Sequence, residues 1–124
     1  MVWRKILGFF RQVQPPKVII SGLKRENKMF QESIQEEANA FLGKASKLLD
    51  DVEGITIHVK TSGRGNATKF ELHSLLSLKK ATIRAQAAGR KLNLVLQNLF
   101  DELLYEARKQ KSFRDAGKRK KREG

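Results

Sequence analysis

The sequence predicts an α+β fold, a two-layer β-α-β-β-β-α sandwich with two helices on one face of a four-stranded sheet. Two kinds of pattern predict it. Two long segments carry apolar residues at helical spacing, and four short segments either alternate apolar and polar residues or are rich in β-branched residues. A chain of 124 residues has the length of one ordinary domain.

The first strand is expected at Lys17–Ser21, in the β-branched run "KVIISG" that ends at Gly22. A long helix should follow from about Lys28 to Asp51, with Asn27 as its N-cap. A right-handed crossover through this helix would set the first strand parallel to its neighbour. The apolar stripe of the helix consists of Phe30, Ile34, Ala38, Phe41, Ala45, Leu48 and Val52.

After Gly54 the period changes to two, in the segments "ITIHVK", "KFELHSLL" and "KKATIRAQA". These segments predict an antiparallel meander with one buried face and one open face. His58 and His73 are both expected on the open face, as potential cross-strand neighbours. A second helix is predicted from Lys91 to about Ser112, with a stripe of Leu92, Val95, Leu96, Leu99, Leu103 and Ala107.

Two further segments flank the domain that we assign to residues 17–112. Residues 1–16 form an amphipathic extension, in which a short helix ends at Pro15 and carries Arg4, Lys5 and Arg11 on its polar flank. This helix either packs on the domain or on a partner, or lies on a membrane surface. Residues 113–124 form a basic tail that we expect to be disordered.

The charge is large and unevenly distributed. Lys and Arg number 26 against 13 Asp and Glu, which gives a net charge of +13. Residues 26–53 carry three basic and seven acidic side chains, whereas residues 1–25 carry six basic ones and residues 54–124 carry 17 basic and six acidic ones. One acidic segment in a basic chain indicates a polyanionic partner, meaning nucleic acid or an anionic membrane.

Catalysis finds little support in the sequence. The chain has no cysteine, which excludes disulfides, thiolate catalysis and zinc fingers. Two exposed histidines with Glu71 as the one nearby acid make a poor metal site, and "SGRGNATK" lacks the ending of a phosphate-binding loop. We therefore expect no enzyme activity, no metal, no cofactor and no small-molecule substrate. No apolar run approaches the roughly 20 residues that span a bilayer, so a cytoplasmic protein is expected.

The basic residues follow the predicted elements closely enough to suggest an RNA-binding surface. Nine of the fifteen residues from Arg108 to Arg122 are basic and one is acidic, which is denser than an ordinary solvated face. No pair of aromatic residues is expected on the open sheet face, so backbone and shape recognition of structured RNA fits better than base stacking. The candidate RNA-binding residues are Lys24, Arg25, Lys60, Arg64, Lys69, Lys79, Lys80, Arg84, Arg90, Lys91, Arg108, Lys109, Lys111, Arg114, Lys118, Arg119, Lys120, Lys121 and Arg122.

The order of elements resembles the ribosome hibernation-promoting factors, also called ribosome-associated inhibitor A or protein Y, over about Lys17 to Arg122. The segment from "KVIISG" to "ITIHVK" looks like the family's first strand, long helix and second strand, and "KFELHSLLSLKKATIRAQAAG" looks like its third and fourth strands. "LNLVLQNLFDELLYEARKQKSF" resembles its second helix, in which Leu103, Lys109 and Lys111 fit family positions.

Several positions depart from the family pattern. Lys91 and Asn93 stand near the family's acidic residue and Tyr, and mid-helix cations are replaced by Glu102, Tyr105 and Glu106. The resemblance implies a short-form factor, without the C-terminal dimerisation domain of longer relatives. Such a factor regulates translation under stress by occupying the mRNA and tRNA decoding region of the small ribosomal subunit through rRNA contacts, with no chemistry.

Two alternatives belong to other classes of protein. Without its first strand the chain would have the α-β-β-β-α order of a generic double-stranded RNA-binding module. A membrane-surface or protein-docking adaptor would instead act through residues 1–13. Affinity for isolated duplex RNA and deletion of residues 1–13 distinguish these alternatives from a ribosome-binding factor.

Overall fold

The computed structural model describes residues 16–64 and 67–123, and their side chains except at positions 26 and 117–123. The predicted N-terminal amphipathic helix lies outside the described residues. The elements are β1 (Lys17–Ser21), a 3₁₀ turn (Arg25–Phe30), α1 (Gln31–Leu48), β2 (Val52–Ser62), β3 (Lys69–Leu78), β4 (Thr82–Gly89) and α2 (Leu92–Glu123).

The four strands form one sheet in the order β1-β2-β3-β4. β1 is parallel to β2, as the crossover through α1 predicts, and the other two pairs are antiparallel. The β2 register shifts between Val52 and Gly54, where the backbone of β1 passes so close that a Cβ on Gly54 would lie 2.6 Å from the Lys17 carbonyl oxygen. The predicted α+β architecture is confirmed.

Alternation along the strands places the core between the sheet and the two helices. Ile55, Ile57 and Val59 of β2 are buried, and the residues that alternate with them from Thr56 to Lys60 are more exposed and face away from the helices. Both helices contribute to the same core cluster, through Ile34, Ala38, Phe41, Leu42 and Ala45 of α1 and through Val95, Leu96, Leu99, Phe100, Leu103 and Ala107 of α2. Within the described part of the chain, one sheet face is therefore covered and the opposite face is open.

The first helix begins later than the sequence predicts. A 3₁₀ turn precedes α1, and Asn27 lies within this turn. Asn27 is therefore not the N-cap of α1; its side-chain amide donates instead to the Thr61 hydroxyl of β2, at 3.3 Å. The N-cap position belongs to Phe30, which makes no side-chain capping bond. The helix ends at Leu48, before the predicted Asp51.

The second helix is longer than the sequence predicts. We expected it to end near Ser112 and the tail beyond to be disordered, whereas α2 continues to Glu123. The continuation carries the basic run with which the chain closes.

The connections define two ends of the domain. At the hairpin end, β1, β2 and β4 finish, the β2–β3 hairpin turns, and both helices begin. At the turn end, β1 and β2 begin, the β3–β4 turn reverses the chain, and α1 finishes. Because α1 and α2 both start from the hairpin end, the two helices run in the same direction.

Candidate nucleic-acid interface

The hairpin end brings six of the predicted RNA-binding cations together. They come from three connections that are distant in sequence: the loop after β1, the β2–β3 hairpin and the start of α2. Every one of these side chains is exposed, and the set consists of Lys24, Arg25, Arg64, Lys69, Arg90 and Lys91.

Backbone geometry holds two of these loops in tight turns. Gly22 and Gly63 both have φ of +85°, a conformation that favours glycine. The Asn27 amide donates to the Lys24 carbonyl at 2.8 Å, and the Ala67 amide donates to the Arg64 carbonyl at 3.0 Å. These bonds fix the backbone from which the cationic side chains extend into solvent.

A row of polar residues crosses the middle of the open sheet face. The strand register aligns Ser21, His58, His73 and Gln86, so the two histidines are cross-strand neighbours as the sequence suggested. The Ser21 hydroxyl lies 2.9 Å from His58 Nδ1. This row offers hydrogen-bonding groups to a ligand that covers the face.

His73 has its own acidic partner on the open face. Its Nε2 lies 2.9 Å from Glu71 Oε1. The hydrogen bond to His73 lowers the pKa of the Glu71 carboxyl below its usual value. Among the described residues, no group of three or more His, Cys, Asp or Glu side chains could hold a metal ion. The two histidines are therefore partnered as polar surface residues.

The open face also exposes two predicted cations, Lys60 on β2 and Arg84 on β4. Lys60 lies opposite Glu71 in the register, and Arg84 lies opposite Leu75. The face therefore carries isolated cations, whereas the hairpin end carries a cluster.

A second basic group lies toward the turn end of the domain. Lys79 and Lys80 are exposed in the β3–β4 turn, and the Lys79 amide donates to the Asp51 carbonyl at 3.1 Å. The helix α2 contributes Arg108, Lys109 and Lys111, which are exposed as well. Since β2 alone has 11 residues, the two basic groups lie at opposite ends of a sheet roughly 30 Å long.

Lys109 has contacts within its own helix. Its Nζ lies 3.6 Å from Glu106 Oε1 and 5.4 Å from the centroid of the Tyr105 ring. Tyr105 and Glu106 are two of the positions that depart from the family pattern. They hold this lysine against the helix surface, where a polyanion would have to compete for it.

Arg114 makes an ion pair within the domain. Its two terminal nitrogens donate to the two carboxylate oxygens of Asp51, at 2.8 and 3.0 Å. The pair is shielded, since the Arg114 side chain is 27% exposed and that of Asp51 is 13% exposed. Through this hydrogen bonding the guanidinium lowers the pKa of the Asp51 carboxyl. Arg114 thus joins α2 to the segment after α1, a role that the sequence did not suggest.

The remaining predicted cations, Lys118 to Arg122, lie on the helical continuation of α2. Their side chains are outside the described set. The backbone alone places five bases along one and a half helical turns beyond Arg114.

The sequence interpretation missed an exposed aromatic side chain beside two of the cations. Phe113 is 83% exposed and lines a cleft of about 270 Å³ together with Thr82, Arg84 and Lys109. Phe113 lies on the side of α2 that faces β4. Because β4 begins at Thr82, the strand has no further residues that could cover the Phe113 ring. Helical spacing could not reveal this exposure, because it results from a helix that is longer than the sheet.

No protein-family profile matches the sequence, and no curated protein matches it. Among solved structures, the N-terminal domain of Protein Y from Thermus thermophilus superposes with a TM-score of 0.53 at 16% sequence identity, over 78% of this chain and 98% of that one. The chain has the fold of that domain. A ribosomal subunit interface protein from Coxiella burnetii superposes with a TM-score of 0.49 at 16% identity, over 80% of this chain and 97% of its own.

The likeness to the Protein Y domain confirms, at the level of fold, the resemblance that the sequence indicates.

No helix in the described part of the chain is both long and apolar enough to cross a membrane.

Proposed function

We propose that this chain acts as a ribosome hibernation factor, which binds the small ribosomal subunit in the cytoplasm and occupies its mRNA and tRNA decoding region. The observation that carries the proposal is the Protein Y fold combined with exposed cations at both ends of the domain. Occupancy of the site is the whole mechanism, and no catalytic step is part of it.

Phosphate contacts supply the binding energy in this proposal. The six cations of the hairpin end and the basic end of α2 would each meet rRNA backbone, so two anchoring points at opposite ends fix the orientation of the domain. Exposed cations that neutralise phosphates release counterions, which makes such binding strongly dependent on salt. The open face, with its row of hydrogen-bonding groups, would lie between the anchors.

Because α2 continues as a helix, Lys118 to Arg122 would contact RNA from a helix and not from a disordered arm. A helix of 32 residues is roughly 48 Å long, and its last turns extend beyond the Arg114–Asp51 pair. A preformed helix presents its cations without the ordering cost of a disordered arm. Lys118 to Arg122 would therefore reach rRNA that the compact part of the domain does not touch.

The experiment is co-sedimentation with purified small ribosomal subunits. A chain that ends at Gly117 lacks Lys118–Arg122 but keeps the Arg114–Asp51 pair, so it removes charge without removing that structural contact. A second variant replaces Arg90 and Lys91 by Gln. The matched control replaces Lys44 and Lys47 of α1 by Gln, which removes the same charge outside both basic groups.

We expect the intact chain and the α1 control to bind, and both other variants to bind at least about tenfold more weakly. Failure of the intact chain to sediment with small subunits at low salt would refute the proposal. Tighter binding to isolated duplex RNA than to the subunit would also contradict it and would support a generic double-stranded RNA-binding module.

A further inference from the structure

A groove of about 710 Å³ runs between the first half of α2 and the length of α1. Among the described residues, those that line it belong to the two helices and to Phe30 just before α1, and none belongs to the sheet. The groove therefore opens on the outer side of the helical layer. It is remote from the open sheet face.

The floor of the groove is apolar and partly accessible. The rings of Phe41 and Phe100 stack there, with centroids 5.0 Å apart and planes inclined by 13°. Phe30, Leu92 and Leu104 are half-buried and border the stack. An apolar floor along two parallel helices is the surface on which a third amphipathic helix packs.

The rim of the groove carries an acid on each side. Glu37 of α1 and Asp101 of α2 are both exposed and both line it. Lys44 lies toward one end, and the other rim residues are uncharged: Ser33, Asn93 and Gln97. A ligand with an apolar face and cationic flanks would match this rim and floor.

We propose that residues 1–13 of this same chain occupy the groove as a short amphipathic helix. The apolar residues of the segment, Val2, Trp3, Ile6, Leu7, Phe10 and Val13, recur at helical spacing. Its charged residues are Arg4, Lys5 and Arg11, all cations, which is the sign that the rim requires.

The length and the starting point of the segment agree with this placement. β1 begins at the turn end, where α1 finishes, so the segment approaches the groove from the Lys44 end. Thirteen helical residues are about 20 Å long, and the groove follows α1 from Phe30 to Lys44, roughly 21 Å.

The direction of the segment sets its pairing with the rim. A helix whose last residue, Val13, lies near Lys44 and whose Trp3 lies near Phe30 runs parallel to α1. This arrangement puts Arg4 and Lys5 at the level of Glu37, and Arg11 at the level of Asp101. Each acid then has an opposite charge beside it. The hairpin end and the open face remain uncovered, so docking of the segment does not depend on the proposed ribosome binding.

Trp3 is the one tryptophan of the chain, so its fluorescence reports on this segment alone. We expect a blue-shifted emission from Trp3 and slow quenching by acrylamide in the isolated full-length protein. Replacing Glu37 and Asp101 together by Lys should weaken docking about fivefold or more and shift the emission to the red. The control variant Glu36→Lys changes an exposed acid of α1 that does not line the groove, and it should leave the emission unchanged.

A cysteine-free chain also permits a direct test of proximity. The pair Leu7→Cys with Ala40→Cys, which lies on the groove, should form an intramolecular disulfide under mild oxidation. The pair Leu7→Cys with Gly43→Cys is the control, because position 43 is exposed on α1 outside the groove and has room for a Cβ. The control pair should cross-link at least about tenfold less.

Three results would overturn the proposal. In the first, Trp3 is fully quenched in the free protein and is protected only when anionic vesicles are added, which would assign the segment to a membrane surface. In the second, the blue shift depends on protein concentration, which would place the segment in the groove of a second copy. In the third, both cysteine pairs cross-link equally. Because each result is read on the free protein, failure here leaves the ribosome co-sedimentation test unaffected.

Discussion

The Arg114–Asp51 ion pair is the one long-range contact between charged side chains that we find in the described part of the chain. Its partners are 63 residues apart, and it closes the turn end of the helical layer. Asp51 was predicted to end the first helix, and Arg114 was predicted to bind RNA. The pairing of these two residues required the length and direction of α2, which no local pattern contains.

Replacing Arg114 by Ala should lower the free energy of unfolding by about 1–2 kcal/mol at neutral pH, since it leaves a shielded carboxylate without its partner. The folded-state pKa of Asp51 is lowered, so the stabilisation is present above the unfolded value of 3.8 and is lost as the pH falls through the lowered pKa. Urea unfolding of both proteins at neutral pH and near pH 2 measures this difference.

The exposed Arg108→Ala serves as the control, because it removes a cation from the same helix and should change stability by less than about 0.5 kcal/mol. A difference between the parent and Arg114→Ala that stays constant down to acidic pH would contradict the role of the Asp51 carboxylate.

Alanine substitutions at two glycines should change the stability of the fold in opposite directions. Gly22 has φ of +85°, and a Cβ there would collide with the Val59 carbonyl oxygen and lie 2.8 Å from the His58 ring. Gly22→Ala should therefore destabilise the fold by about 1–3 kcal/mol. Gly43 is exposed on α1, and a methyl group there would meet no atom within 4 Å, so Gly43→Ala should stabilise the fold by about 0.5–1 kcal/mol. Thermal unfolding monitored by circular dichroism measures both changes, and equal effects would contradict the backbone argument.

At the scale of elements, the strands could be predicted because alternation is a strong signal in a sheet with one open face. The strands β2, β3 and β4 bury the residues that the period of two assigns to the core, such as Ile57, Leu72 and Ile83. The start of α1 could not be predicted as well, because the 3₁₀ turn carries Phe30 on the same apolar side as the helix. An apolar stripe does not distinguish the two kinds of turn.

The continuation of α2 was missed for a different reason. A run of lysine and arginine has the composition of a disordered tail, and it carries no apolar stripe. Extending an existing helix, however, requires no new nucleation, and Lys, Arg and Ala favour the helical backbone. The part of α2 before Ser112 therefore acts as the helical nucleus from which the basic tail continues as helix.

Replacing Gly117 by Pro should end α2 at the start of the last basic residues, since proline removes a helical hydrogen bond and costs about 3 kcal/mol in a helix interior. Helical circular dichroism should fall, and affinity for the small subunit should approach that of the chain ending at Gly117. The control Gly117→Ala keeps the charge and favours the helix, so it should bind at least as well as the parent. Equal binding by the proline and alanine variants would show that the cations act without a helical arrangement.

At the scale of the whole molecule, the net charge of +13 and the two basic groups make salt the most informative variable. With about six to ten phosphate contacts, affinity for the small subunit should fall roughly 10³–10⁵-fold between 50 and 200 mM salt, by analogy with duplex DNA. The Arg90→Gln, Lys91→Gln double variant should show a shallower slope. Sedimentation across a salt series measures both slopes, and a flat response would contradict an electrostatic mode of binding.

The short edge strand β1 has a consequence for how the domain opens. It contributes five residues, none of them fully buried, and it is joined to β2 by a crossover rather than a hairpin. Detaching β1 exposes little of the core, so local opening should free this strand at a lower cost than global unfolding. Amide hydrogens of β1 should then exchange before those of β2 and β3, and the chain that precedes Lys17 would gain a longer tether each time the strand detaches.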